Sequence, residues 1–244
     1  MEYNEYDKEA FFNQYKQMSR STDGLKGAGE WHELQKLLPD FWGKDVLDLG
    51  CGFGWHCKYA VDRGARRALG IDLSANMLEE AKKRNFSDRI EYRQCGILEY
   101  EYPREAFDVV ISSLALHYID DFAAVCRGVN RCLRPGGIFV FSAEHPIFTA
   151  YGSQDWIYGE DGKILHWPVD RYFEEGPRDV VFLGEHVVKQ HKTLTTYLNG
   201  LLTHGFRIQA VVEPRPDPEM MEIPGMADEL RRPMMLLVSA VRTD

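Results

Sequence analysis

Residues 46–54 read Val-Leu-Asp-Leu-Gly-Cys-Gly-Phe-Gly, and this stretch decides the fold of the chain. Its apolar first half predicts a short buried strand, while Gly50, Gly52 and Gly54 permit tight turns and let the backbone approach a ligand closely. The residues that follow, 55–63, have the spacing of a helix. A strand that leads through glycines into a helix predicts a ligand site at the carboxyl end of that strand.

Short apolar runs alternate with helical segments from residue 44 to residue 140. Further strands are predicted over 68–72, 90–93, 107–111 and 138–141, with helices over 75–84 and from Asp120 or Asp121 to Leu133. Ser74 is the natural N-cap of the first of these helices, and the Arg-Pro-Gly-Gly sequence at 134–137 predicts the turn that stops the second. This alternation is typical of an α/β fold with a parallel sheet covered on both faces.

The chain continues with a helical pattern of leucines that begins at Leu194 and ends before Gly205. Two more strands are predicted over 206–213 and 234–242. The proline-rich residues 214–218 between them must form a loop. Because that loop is long, the pattern leaves open whether the last two strands form a direct hairpin.

The composition indicates a single globular domain over residues 1–244, because 44% of the residues are hydrophobic and no Gly/Ser/Pro-rich linker interrupts the chain. A formal charge of −9 argues against a nucleic-acid partner, which requires clustered Lys and Arg. Five cysteines without a C-x-x-C pair predict reduced thiols. With neither a basic, apolar leader nor an apolar run of spanning length, we expect a cytoplasmic protein with no membrane partner.

Asp72 lies at the end of the second predicted strand, about twenty residues after Gly52. A carboxylate there can accept hydrogen bonds from both hydroxyls of a ribose, which predicts a nucleoside ligand. The alternative is that Asp72 only caps the following helix, although Ser74 can already do so. A nicotinamide fingerprint would need a glycine at the sixth position from Gly50, where this chain has Trp55.

Residues 46–54 resemble the first motif of the class I S-adenosylmethionine-dependent methyltransferases. Later motifs of that family are resembled, in the same order, by 70–78, 107–110 and 133–137. The resemblance covers roughly 44–143 and implies a Rossmann-like, mostly parallel sheet of seven strands with helices on both faces. Its last strand would be antiparallel and lie beside the fifth, and S-adenosyl-L-methionine would be the cofactor.

The resemblance also implies a cofactor site across the first two strands. Asp48, Gly50 and Gly52 would border the methionine part, and Asp72 would hold the ribose. Leu73 and Met77 would flank the adenine, and the expected contacts are completed by Cys51, Ile97 and Leu114. One departure concerns residues 94–98, which read Gln-Cys-Gly-Ile-Leu where the family often has Gly-Asp. The usual carboxylate near the adenine amino group is therefore missing, and Glu99 is the candidate substitute.

Methyl transfer from a sulfonium is an in-line displacement, for which the protein mainly positions the acceptor. His117, just past the fourth strand, is the candidate base for a hydroxyl or protonated amine. The alternative is that His117 packs beside the cofactor or bonds to the backbone. Glu144 and His145, directly after the fifth strand, also open toward this crevice. No metal is expected, because His186 and His191 lack the spacing of a helical zinc pair.

Two flanking regions complete the prediction. Residues 1–43 are predicted to form a helical lid, in which Tyr15 and Arg20 would contact the cofactor and Arg20 would pair with its carboxylate. The alternative is that Arg20 is a plain surface arginine. Residues 144–192 are predicted to be an insertion on the substrate side, whose aromatic side chains either wall an acceptor pocket or form core.

These observations predict an enzyme that methylates a small-molecule acceptor. Two alternatives are a non-catalytic cofactor-binding or interaction protein of the same fold and a nicotinamide-dependent oxidoreductase. The sequence leaves the acceptor and the oligomeric state open.

Overall fold

The structure of the chain is a computed structural model, and it describes residues 4–243. Of the domain predicted over 1–244, residues 1–3 and 244 lie outside the described residues. The helices are α1 (Glu9–Tyr15), α2 (Ser19–Thr22), α3 (Trp31–Leu37), α4 (Trp55–Asp62), α5 (Ala75–Arg84), α6 (Phe122–Cys132), α7 (Pro146–Thr149) and α8 (Leu194–Thr203). The strands are β1 (Asp45–Leu49), β2 (Arg67–Asp72), β3 (Ile90–Gln94), β4 (Phe107–Ser113), β5 (Leu133–Glu144), β6 (Ile157–Tyr158), β7 (Ile164–His166), β8 (Gly176–Phe182), β9 (Glu185–His191), β10 (Phe206–Val212) and β11 (Met235–Arg242). Short 3₁₀ turns lie at Glu5–Asp7, Gly24–Gly27, Leu116–Tyr118, Pro218–Met220 and Met226–Arg231.

Seven strands form one sheet in the order β10-β11-β5-β4-β1-β2-β3. The pairs from β5 to β3 are parallel, whereas β11 runs antiparallel to both β5 and β10. The predicted sheet of seven strands, with the last one antiparallel beside the fifth, is confirmed. The direct pairing of β10 with β11 answers the question that the sequence left open.

The first strand, β1, contributes to the core on both faces of the sheet, because successive side chains of a strand point in opposite directions. Leu47 and Leu49 belong to the apolar cluster that includes side chains of α6 and α8. Val46 belongs to a second cluster, formed with α4. On that second face, Trp31 and Leu34 of α3 extend the cover toward β5 and β11. Helices therefore cover both faces, as predicted.

Helix ends follow the predicted caps. The hydroxyl of Ser74 accepts the N–H of Met77, which starts α5, and the carboxylate of Asp121, rather than that of Asp120, accepts the N–H of Ala124 to start α6.

The turn predicted over 134–137 is a bulge within β5. Helix α6 ends at Cys132, and β5 begins at the next residue. The pairing of β5 with β4 is interrupted around this turn, where Gly136 takes a φ of +74°. The tight reversal is therefore present, but the strand extends across it instead of starting after it.

The long region 144–192, called the insertion below, has structure of its own. It contains α7, the hairpin β6–β7 and the hairpin β8–β9. Val180 and Val187 of the second hairpin pack with Phe11 in the N-terminal segment, residues 4–43. Insertion and N-terminal segment thus meet at the carboxyl-end side of the sheet. Among residues 4–243, no helix is long and apolar enough to cross a lipid bilayer.

Candidate active site

The loop between β1 and α4 holds its glycines in conformations that other residues rarely adopt. Gly50 has a φ of +71° and Gly52 a φ of +51°. A Cβ on Gly50 would lie 2.5 Å from the Cβ of Ala115, so packing requires this glycine. A Cβ on Gly52 would meet no atom within 4 Å in the part of the chain that the structure describes. The loop is therefore a cradle that is open at Gly52.

Asp72 joins this loop to the start of α5. Its Oδ2 accepts the N–H of Gly52 at 2.8 Å, and its Oδ1 accepts the N–H of Ser74 at 2.9 Å. Ser74 caps the helix through its own hydroxyl, so Asp72 does more than cap. The hydroxyl of Ser74 also donates to Asp7 of the N-terminal segment at 2.5 Å, and Asp7 accepts the N–H of Asn76 at 3.1 Å. The N-terminal segment is thereby fastened beside the cradle.

A cavity of ≈ 690 Å³ lies at the carboxyl ends of β1, β2, β4 and β5. From the sheet side, the predicted residues on its wall are Gly50, Cys51, Gly52, Asp72, Leu114 and His117. Those beside α5 are Leu73, Met77 and Ile97, and those from the N-terminal segment are Tyr15 and Arg20. The structure thus brings together every predicted site residue except Asp48. Glu99, the candidate adenine contact, is exposed and does not line the cavity.

Asp48 lies within β1 and is buried behind the cradle. Its Oδ2 accepts the thiol of Cys57 at 3.6 Å, while its Oδ1 has no hydrogen-bond partner in residues 4–243. Burial raises the pKa of Asp48 to about 7, because removal from water penalises the charged form. Asp48 therefore underlies the loop instead of lining the cavity.

Arg20 forms an ion pair with Glu30, with 2.6 Å between Nη2 and Oε1. Burial opposes ionisation of Glu30, but the charge of Arg20 and the hydrogen bonds that the carboxylate accepts together outweigh it and lower the pKa of this carboxyl. Arg20 is thus no plain surface arginine, since its side chain is 22% exposed and lies on the cavity wall. No sequence pattern points to Glu30, which precedes α3 in a position that usually faces solvent.

Several buried polar atoms of wall residues lack a hydrogen-bond partner among the described residues. Three of them, Glu30 Oε2, Trp55 Nε1 and His56 Nε2, belong to the region where the N-terminal segment meets α4. Unpaired buried polar atoms are costly, and a polar ligand can supply their partners. An amino-acid group with an ammonium and a carboxylate fits this part of the wall, and an adenosyl group fits the open cradle beside Asp72. The residues present therefore fit S-adenosylmethionine.

His117 is held by Glu144, the last residue of β5. The backbone N–H of Glu144 donates to Nδ1 at 3.4 Å, and Nε2 lies 4.0 Å from Glu144 Oε1. Burial lowers the pKa of His117 to about 3, although the Glu144 carboxylate opposes this shift. The ring is neutral near pH 7, and the contact at Nδ1 assigns its proton to Nε2. Of the two alternatives, the geometry favours the bond to the backbone.

Glu144 is also bound by two residues that the sequence did not reveal. Lys189 Nζ lies 2.5 Å from Glu144 Oε1, and Gln154 Nε2 lies 2.6 Å from Glu144 Oε2. Lys189 is buried on β9, on the same side of the strand as Val187. The sequence offers one signal for Lys189: in the alternating pattern of this strand, the lysine falls on the buried side, where an apolar residue is expected.

The aromatic side chains of the insertion have different surroundings. Phe182 lines the cavity, whereas Phe148, Trp156 and Trp167 pack around the guanidinium of Arg232. Of these, only Phe148 is buried, and the cation of Arg232 holds the two tryptophans against it. Tyr151, Tyr158 and Phe173 are exposed, so part of this aromatic content belongs neither to a core nor to the cavity wall.

The remaining histidines of this region serve local structure. His145 does not line the cavity. Its Nδ1 instead accepts the N–H of Ile147 at the start of α7. His186 contacts Asp179, and His191 contacts Thr149. Within residues 4–243, no group of three or more His, Cys, Asp or Glu side chains is placed to hold a metal ion.

Comparison with known proteins identifies the family. The family profile of the methyltransferase domain matches residues 47–141. A solved structure from Listeria monocytogenes, provisionally named an S-adenosylmethionine-dependent methyltransferase, is 56% identical and has a TM-score of 0.87 over 91% of this chain and 100% of its own. An S-adenosylmethionine-dependent methyltransferase from Mesorhizobium loti is 45% identical, with a TM-score of 0.83 over 90% of this chain and 100% of its own.

A third relative extends the match along almost the whole chain. It is an uncharacterised protein of Haemophilus influenzae, 32% identical over 98% of this chain and 97% of its own length. The glycine cradle, the cavity and these relatives lead to one conclusion: the chain belongs to the class I S-adenosylmethionine-dependent methyltransferases, and S-adenosylmethionine is its cofactor.

Proposed function

We propose that this enzyme transfers the methyl group to a small-molecule acceptor bound beside His117 and Glu144. The observation that carries the proposal is the continuity of one cavity from Gly52 and Asp72 to these two side chains. The N-terminal segment and the insertion form the walls opposite the sheet. A cavity bounded in this way suits an acceptor that enters whole.

The cofactor contacts of this proposal follow the cavity wall. Gly50, Cys51 and Gly52 would lie along the methionine part, Asp72 would accept the ribose hydroxyls, and Leu73, Met77 and Ile97 would enclose the adenine. Arg20 would pair with the carboxylate, and Glu30 would accept the ammonium through its unpartnered Oε2. Leu114 and Tyr15 would border the remainder, while Asp48 would support the loop from behind.

S-adenosylmethionine, when bound, supplies an activated methyl group on a sulfonium. The protein has to hold the acceptor in line with that group and exclude water, which contributes several kcal/mol to the lowering of the barrier. His117 offers an Nε2–H rather than a free lone pair, so we assign it to orienting the acceptor and not to removing its proton. Its catalytic contribution is thus one of contact and alignment.

The flanking regions have distinct roles in this proposal. The N-terminal segment is a lid, because Tyr6 and Tyr15 lie on the cavity wall and the hydroxyl of Tyr6 is 3.0 Å from that of Tyr118. The insertion is the acceptor side, because it supplies Phe182 and Lys189. Both belong to one domain with the sheet.

Turnover with a panel of small acceptors tests this function. The purified enzyme is incubated with S-adenosylmethionine and single amines, alcohols, thiols or carboxylates, and S-adenosylhomocysteine is measured. We expect product that depends on one acceptor class and is lost in Asp72→Asn at low cofactor concentration. Product formed only with RNA or protein added would overturn the small-molecule assignment.

A further inference from the structure

The polar groups at the acceptor end of the cavity form a closed network around Glu144. Lys189 Nζ donates to Glu144 Oε1 at 2.5 Å and to Gln154 Oε1 at 2.8 Å. Gln154 Nε2 returns a hydrogen bond to Glu144 Oε2 at 2.6 Å. Both carboxylate oxygens are therefore occupied, which fixes the orientation of the Glu144 side chain.

The orientation of Glu144 in turn bears on His117. The backbone N–H of Glu144 meets Nδ1 of the ring, and its carboxylate lies 4.0 Å from Nε2. Both ring nitrogens thus face a single residue. The state of Glu144 decides whether a proton on His117 is attracted or not.

Lys189 is placed to decide that state. Its side chain is 3% exposed and that of Glu144 is 12% exposed, so their charges compensate each other away from water. If the ammonium were removed, a buried carboxylate would remain uncompensated, and the adjacent imidazole would be the nearest group able to gain a proton. The third side of the ammonium faces the ring of Phe182 at 5.0 Å, which adds no competing acid.

We propose that Lys189 is a positioning residue of the active site, which acts through Glu144 to keep His117 uncharged with its Nε2–H available to the acceptor. This assignment rests on the proposed function, since it gives His117 its role toward the acceptor. Four charged or titratable groups act on His117. They are Glu144 of β5, Lys189 of β9, Lys192 at the end of the insertion and Arg20 of the N-terminal segment. The ring of Tyr118 packs against that of His117, with 4.5 Å between the centroids and a tilt of 43° between the planes.

The test is ¹⁵N NMR of the full-length protein labelled at histidine, recorded from pH 4.5 to 8 in the presence of S-adenosylhomocysteine. The His117→Gln variant assigns the signals. In the wild type we expect one protonated and one unprotonated nitrogen throughout. In Lys189→Met we expect the pKa of His117 to rise by about one to three pH units, so that the ring titrates within this range. Lys189→Arg restores the wild-type spectrum.

Controls separate this effect from a general loss of structure. Lys163→Met removes an exposed lysine of the insertion and should leave the His117 signals unchanged. If Lys189→Met does not fold, Gln154→Leu, which weakens the same network without a charge change, should still shift the His117 signals. Unchanged His117 signals in whichever of these two variants folds would overturn the proposal. Failure of the wild type to bind S-adenosylhomocysteine in calorimetry would instead count against the proposed function.

Discussion

Replacement of Asp72 by asparagine tests the cofactor site most directly. The carboxylate holds the Gly52 N–H at 2.8 Å and the Ser74 N–H at 2.9 Å, and its position beside the open cradle suits the ribose hydroxyls. Asparagine keeps the size and one acceptor oxygen but loses the charge. Loss of a charge-assisted hydrogen bond costs about 1.5–3 kcal/mol. This corresponds to a rise of roughly 10- to 150-fold in the Kd for S-adenosylhomocysteine.

Isothermal titration calorimetry measures this change, and thermal melting checks that the fold is intact. Asp120→Asn is the matched control, because Asp120 is an exposed acid on the same cavity wall. We expect the control to bind within about twofold of the wild type. A change of less than about threefold in Asp72→Asn, with the fold preserved, would refute the reasoning that this carboxylate grips the ribose.

Further predictions concern the loop, the buried acid and the lid. Gly52→Ala should fold with a free energy of unfolding lower by about 1–2 kcal/mol, because of its positive φ, and should bind S-adenosylhomocysteine poorly. Gly50→Ala should lose more stability, because its Cβ would clash with Ala115. Thermal melting measures the stability of both variants, and calorimetry measures their binding. Because the folded state raises the pKa of Asp48 to about 7, it retains a proton that the unfolded chain releases above about pH 4, so the free energy of unfolding falls as the pH rises from 5 to 7. In Asp48→Asn this fall should be smaller by about 2–3 kcal/mol in urea titrations, and equal slopes would contradict the assignment. Arg20→Ala should weaken S-adenosylhomocysteine binding by roughly tenfold or more, and an unchanged Kd would remove its pairing with the carboxylate.

The parts of the fold that local pattern determines are predictable from the sequence. The five runs from β1 to β5, the cap at Ser74 and the glycines before α4 each depend on residues close together in the chain. Their order then restricts the sheet to a parallel arrangement. For the same reason the position of Asp72 at the mouth of the cavity follows from its place at the end of the second strand, because the carboxyl ends of neighbouring parallel strands meet at one edge of the sheet.

The parts that local pattern does not predict depend on contacts between distant segments. Lys189 meets Glu144 although 45 positions separate them, and neither residue type marks a buried position by itself. Asp48 belongs to the motif over residues 46–54, but the sequence does not reveal that its side chain turns away from the cavity. The extension of β5 through the Pro-Gly-Gly turn escapes prediction because proline and glycine ordinarily end a strand pattern.

The fastening of the N-terminal segment at Asp7 has a practical consequence for handling this enzyme. A purification tag at the amino terminus would be joined close in sequence to Asp7, whose carboxylate holds the segment beside the ribose end of the site. A tag at the carboxyl terminus would follow Thr243, which donates its N–H at 2.9 Å to Gly205, just before the edge strand β10. Recombinant protein for ligand screening is therefore better extended at its carboxyl terminus.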